Sequence, residues 1–523
     1  MIQLAHRSLL VQGLAGLLSL GSLGMPIALA QETPPSLPEP PPSSPPTNQS
    51  DLTNLSDVTV ISEPQNEGTD PIDLENSNDF WGRIEDSFTA AYVERFGPFY
   101  GVTATIDEAS QELGELGQAT GTNPGLVYVI KTARGLRLVL VTSNQEDQAI
   151  GQNLQPLALT ATRTFPKIDP LANRPEEEEA QFSGSVFFKT VPQATPAKVD
   201  RAAKNFRRRV SDPLDLNSTR YLEPAQQLYD WIIQPLDPIL KAKEIDTLIF
   251  VLDEGLRTIP VAALHDGTGF LVERYNLSLI PSFNLTDTRY QSIQGKQMLG
   301  MGITESVQGL SPLPSVAIEV PALTTQIWQG QSYLNRQATL DRLKQLTRQK
   351  EYDIIHLATH AEFNSGEFSR SFIQLWDQRV SFSDLRTLSA EANWGQNPTV
   401  ELLVLSACQT ALGSQDAELG FTGLALQTGV KSVLGSLWYV SDEGTLALMG
   451  EFYDHLESAS IKSAALRQAQ LAMLRGETVV QAGRLKLSNG LELALPSRSG
   501  SSAPLNYRHP YYWSPFTLVG NWN

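Results

Sequence analysis

Cysteine is nearly absent. One residue of this type, Cys408, occurs in 523, so no disulfide can close within the chain. A solitary cysteine is either a small buried hydrophobe or a thiol kept for its chemistry. Basic charge is also short: 39 Lys and Arg face 57 Asp and Glu, for a net charge of -18. That balance excludes nucleic acid as a partner, because phosphates demand a basic patch. No HExxH, paired CxxC or carboxylate cluster suggests a metal site. No repeat of ~20–50 residues recurs, which excludes a helical solenoid. Beyond the first thirty residues no apolar run approaches the ~20 needed to cross a bilayer, so stable membrane insertion is not expected of the mature chain.

What is present begins with an export signal. Arg7 precedes the apolar stretch "LLVQGLAGLLSLGSLGM", and the small-residue pattern "ALA" ends at Ala30. This is the layout of a cleaved signal peptide over residues 1–30. A retained anchor is the rival reading, weakened by Gly13, Gly16, Gly21, Gly24 and Pro26. Removing these residues, with one Arg and no acid, takes the net charge from -18 to -19. The expected destination is the periplasm, a thylakoid lumen or the cell exterior. Residues 31–79 are rich in Pro, Ser and acids and poor in large apolar side chains. They cannot bury enough surface to offset their ordering entropy and are expected to form a disordered linker.

An N-terminal helical and hairpin module is expected over 80–243. "FWGRIEDSFTAAYVERFG", "IDEASQELGELGQATG", "PAKVDRAAKNFRRRV" and "PAQQLYDWIIQPL" carry helical spacing. Leu126–Ile130 and Leu136–Val141 flank a turn with Gly135 and read as a hairpin. "EEEEAQ" falls in a polar loop. After Lys243 the rhythm changes, and short apolar runs ("DTLIFVLD", "QMLGMGI", "DIIHLATH", "VELLVLSAC", "VKSVLGSLW") alternate with helical patterns. Residues 244–523 therefore read as an α/β domain with a mainly parallel sheet flanked by helices.

In such sheets ligands bind outside the carboxyl ends of the strands. Two strand ends carry reactive groups: "YDIIHLAT" delivers His360 and "VELLVLSA" delivers Cys408, 48 residues later. If the two strands are neighbours, imidazole and thiol meet at the rim. Cysteine attacks as its thiolate, and imidazole can take its proton and later return one to a leaving amine. Backbone amides of Cys408 and Ala361 are candidate oxyanion donors.

The motifs "HLATHAEF" and "LLVLSACQTALG" resemble the His and Cys motifs of CHAT-domain proteins, which belong to the caspase-like (caspase–haemoglobinase fold) cysteine peptidases. The resemblance extends to "LRTIPVAALHDGTGFLVERYNLSLIPS", "LPSVAIEV", "ELGFTGLALQTGVKSVLGSLWYVSDEGT" and "HPYYWSPFTLVG". It covers about Thr247 to Gly520, more weakly up to Phe80, and exported cyanobacterial versions have the most similar layout. It implies a caspase-like fold over 244–523 and a cysteine endopeptidase with His360 as base and acid and Cys408 as nucleophile, a dyad that needs no metal or cofactor. The partner is then a protein or peptide substrate, with a regulatory protein as a further partner. A scaffold that keeps the fold with little turnover is the alternative. One departure stands out: such enzymes usually carry Gly after the histidine, whereas this chain has Ala361.

By position in that fold, Ser436, Trp438, Asp442 and Asp416, with Glu418, are candidates for the substrate pocket, where acids would favour Arg or Lys. Asp442 also stands where a helix begins and reads as an N-cap. His356, four residues before His360 on the same strand face, reads as a packed or hydrogen-bonded core residue. His265 and His455 show no partner pattern, and His509, in "HPYYWSPFTLVG", reads as structural.

Overall fold

The computed structural model describes residues 74–96, 103–144, 182–183, 185–349, 352–363, 371–392, 394, 400–410, 423, 428–496 and 505–523. The segments read as signal peptide and as linker as far as residue 73, the "EEEEAQ" loop, and most of "ELGFTGLALQTG" lie outside them.

Helix Leu74–Phe96 buries Phe80, Trp81, Ile84 and Phe88, which recur at three- and four-residue spacing and so share one face. Helix Ile106–Thr120 starts on a capping box in which Thr105 Oγ1 accepts from the Glu108 amide. It stops at Gly121, whose φ of 69° suits a residue without Cβ. Strands β1 (Pro124–Thr132) and β2 (Gly135–Thr142) pair antiparallel across the expected turn. Gly135 there has φ 124°, and a Cβ would meet the Val191 carbonyl at 2.4 Å. β3 (Phe182–Ser183) and β4 (Val186–Val191) extend this edge. Helices Pro196–Val210 and Leu222–Ile232 follow.

The next strands are β5 (Thr247–Leu252), β6 (Asn276–Leu279), β7 (Met298–Gly302), β8 (Gly330–Leu334) and β9 (Ile354–Phe363). Then come β10 (Phe372–Gln374), β11 (Arg379–Ser381), β12 (Leu402–Thr410) and β13 (Ser432–Ser436). Short strands β14 (Val479–Gln481), β15 (Arg484–Lys486), β16 (Glu492–Ala494) and β17 (Leu505–Asn506) form a separate small antiparallel sheet. β18 (Phe516–Gly520) returns to the main sheet.

That sheet has 14 strands in the order β11-β10-β9-β12-β13-β18-β6-β5-β1-β2-β4-β3, with β7 and β8 joined through β9. Parallel pairing links β8, β7, β9, β12 and β13, and again β18, β6, β5 and β1. The expected α/β class with a largely parallel sheet is what the chain forms. Leu402–Leu405 and Leu248–Leu252 are buried throughout, as strands covered on both faces must be. The sheet crosses residue 243 without a break, because β1 pairs with β5 over Pro124–Val129 and Thr247–Leu252. Residues Asp70–Asn523 cluster as one unit. Among the described residues no helix is long and apolar enough to cross a membrane.

Candidate functional site

β9 and β12 are neighbours and run parallel. Their register proceeds from Ile354 opposite Leu402 to Leu357 opposite Leu405, and resumes at His360 opposite Ala407 and Ala361 opposite Cys408. Between these stretches Ala358 and Thr359 face the single Ser406, a bulge of the kind found beside functional sites. His360 and Cys408 thus belong to adjacent strands, one register step apart. The Cys408 side chain lies outside the described residues.

The His360 ring is partly exposed, and its Nε2 lies 2.8 Å from the Ser311 carbonyl. A carbonyl only accepts, so Nε2 carries the proton. In the neutral ring Nδ1 then holds the free lone pair, which makes it the nitrogen available as a base. Ala361 is buried and is not among the non-glycine residues with positive φ. Alanine therefore fits this backbone without strain. Its main chain is flanked by β12 on one edge and by β10, through Ile373, on the other. An oxyanion role for this amide requires the strand ends to part.

His356 is fully buried as expected of a core histidine, and its bonds are specific. Nδ1 lies 3.1 Å from Tyr453 Oη and Nε2 lies 3.0 Å from Glu319 Oε1. Burial, and after it the Glu319 charge, hold the Tyr453 phenol well above its ordinary range. The phenol therefore keeps its proton and donates to Nδ1, leaving the Nε2 proton for Glu319. Three elements are tied this way: β9, helix Val316–Ala322 and helix Asp442–Leu456.

Asp442 differs from its expected role as cap. Ser441 caps the helix, its Oγ accepting from the Gly444 amide at 3.2 Å. Serine and aspartate rank alike at this position, and the turn begins one residue earlier than apolar spacing indicated. Asp442 is instead free to reach across, and its Oδ2 accepts the Ser315 amide at 2.5 Å. Burial raises the Asp442 pKa, the Ser315 bond opposes this, and Glu319 and Glu443 add to the rise. Ser436 is buried at the end of β13. Trp438 is buried too, and its Nε1 donates to the Tyr511 carbonyl at 3.1 Å. Asp416 and Glu418 lie outside the described residues.

The other histidines have structural surroundings. His509 Nδ1 caps the turn Pro510–Trp513 by accepting from the Tyr511 amide. His265 Nδ1 accepts from the Gly267 amide inside the "DGTG" turn. His455 joins Glu451 and Asp454 in a group whose ligand atoms lie within 4.8 Å of one another. Glu451 already accepts from Thr478 Oγ1, the Ser488 amide and Ser488 Oγ, so its oxygens serve to dock the small sheet.

Sequence reasoning missed Ser311, Ser315, Glu319 and Tyr453. Glu319 had left a signal, an acid set among apolar residues in "VAIEV"; the two serines had none, because their roles are carried by backbone groups.

The CHAT domain family model matches residues 222–521. Two crystal structures of the Saccharomyces cerevisiae separase–securin complex, at 3.0 and 2.6 angstrom resolution, resemble the chain. Their TM-scores are 0.42 and 0.39, at 9% and 10% identity. Each match covers 80% of this chain and 31% of the other, so the chain spans under a third of the length of those proteins. No curated protein matches. The family match takes in the strands bearing His360 and Cys408 and more than half of the sequence; the chain belongs to the CHAT-domain family.

Proposed function

We propose that the protein is an exported cysteine endopeptidase of the caspase-like kind. The observation that carries this reading is the parallel β9–β12 ladder, in which His360 and Cys408 occupy adjacent strand ends in a CHAT-family chain. His360 Nδ1, left free by the Nε2–Ser311 bond, takes the Cys408 proton. The thiolate attacks the scissile carbonyl, and His360 then protonates the leaving amine. Water, deprotonated by the same imidazole, hydrolyses the thioester to release the acid and restore the thiol. The amides of Ala361 and Cys408 stabilise the oxyanion once the strand ends separate to admit substrate.

The substrate is a protein or peptide, and the acids Asp442 and, by its place in the sequence, Asp416 favour a basic residue before the cleaved bond; Ser436 and Trp438 shape the pocket from β13 and its exit. The mature protein acts outside the cytoplasm, without a cofactor and under a regulatory partner. The test is a peptide library incubated with the mature protein under reducing conditions, beside Cys408→Ala. Cleavage that vanishes in Cys408→Ala is expected. No Cys408-dependent cleavage of any peptide, with or without lysate, returns the protein to the class of binding scaffolds.

A further inference from the structure

The carbonyl that orients His360 belongs to a short segment with unusual stiffness. Ser311, Pro312, Leu313, Pro314 and Ser315 alternate with two prolines. Proline fixes its own φ and pushes the preceding residue towards extended geometry. The segment bends at its end, where Pro314 and Ser315 turn into the helix, the Val316 amide bonding the Leu313 carbonyl and Ser315 lying at φ -68°, ψ -21°. The two prolines so stiffen a short, bent strut. At one end the Ser311 carbonyl accepts from His360 Nε2 at 2.8 Å. At the other end the Ser315 amide donates to Asp442 Oδ2 at 2.5 Å. Between them Leu313 is buried against Val316, Val320 and Ala358, and its amide bonds the Thr304 carbonyl.

The Asp442 end joins a closed polar circuit. Ser315 precedes helix Val316–Ala322, which carries Glu319; Glu319 meets His356, His356 meets Tyr453, and Tyr453 shares a helix with Asp442. The carboxylate lies at the N-terminal end of two helices, its own and the one starting after Ser315, and both favour a negative charge there. Glu319, Glu443 and burial act in the opposite sense.

We infer that Asp442 is a positioning residue for His360, acting through the Ser315 amide and the proline strut that ends at the Ser311 carbonyl. This deepens the peptidase reading by giving Asp442 a task before any substrate arrives. Ser315 also bonds this carboxylate through its side chain, so the group that holds the strut is the same one that the peptidase reading offers to a basic substrate residue.

The test reads His360 directly, with no substrate. In the full chain labelled with ¹⁵N-histidine, six imidazoles contribute, and His360→Gln assigns the signal. The wild type should show a His360 Nε2–H resonance protected from solvent by the Ser311 carbonyl. Asp442→Ala should broaden it away while circular dichroism stays native. Asp442→Asn retains an acceptor for the Ser315 amide and should keep the resonance. An unchanged signal in folded Asp442→Ala, or equal loss in Ala and Asn, overturns the inference. Should the Ala variant unfold, Asn decides alone: its loss of the resonance counts against the strut. If cleavage proves absent while the resonance behaves as stated, only the peptidase reading falls.

Discussion

Individual side chains carry the sharpest consequences. Glu85 is wholly buried on helix Leu74–Phe96, accepting from Tyr128 Oη and from the Phe283 and Asn284 amides. Burial outweighs these donors and lifts its pKa to about 6 from 4.5. Between those values the folded chain holds a proton that the unfolded chain has released. Stability therefore falls as pH rises through this window, by about 2 kcal/mol, and levels off above it. Urea midpoints measured from pH 4 to 7 should show this fall, and Glu85→Gln should lack it; parallel profiles would remove Glu85 as the cause. At this scale the sequence was legible where a residue type has few uses. A lone cysteine and a histidine at strand ends announced a candidate site, and His356 read as core. It was opaque where backbone atoms do the positioning, as at Ser311 and Ser315, because any residue supplies an amide or a carbonyl.

Elements were the most legible level. The helix closing at Gly121, the hairpin around Gly135 and the strands β5, β7, β9, β12 and β13 all follow from local periodicity and turn chemistry. Register does not, since it depends on contacts between strands far apart in sequence. The bulge opposite Ser406 left no local mark. Close packing of helix Val316–Ala322 on β7 is a further example. A Cβ at Gly302 would meet Val316 Cγ1 at 2.4 Å and Val320 Cγ2 at 3.0 Å. Gly302→Ala should destabilise the chain by ~1–3 kcal/mol through overpacking. Gly82, with nothing within 4 Å of its Cβ position, is the control; alanine there should be neutral or stabilising by ~0.5–1 kcal/mol. Urea unfolding of both variants checks the contrast, and equal midpoints would refute it.

For the whole molecule, the class of fold was readable from alternation of strand and helix, but the extent of the sheet was not. Pairing of β1 with β5 runs the sheet across the composition change at residue 243, and nothing local to either strand encodes that partner. The same non-local logic brings the strands of His360 and Cys408 together. Function at this scale rests on whether those two residues act as a unit. Because Cys408 is the sole thiol, its alkylation by iodoacetamide can be followed in the intact protein without background. The decisive measurement is that rate against pH, in wild type and in His360→Ala. Fast reaction below pH ~8.5, the ordinary thiol value, slowing at least tenfold in His360→Ala, is the predicted result. A thiol that reacts at the same rate in both proteins, or stays inert in both, would contradict the account.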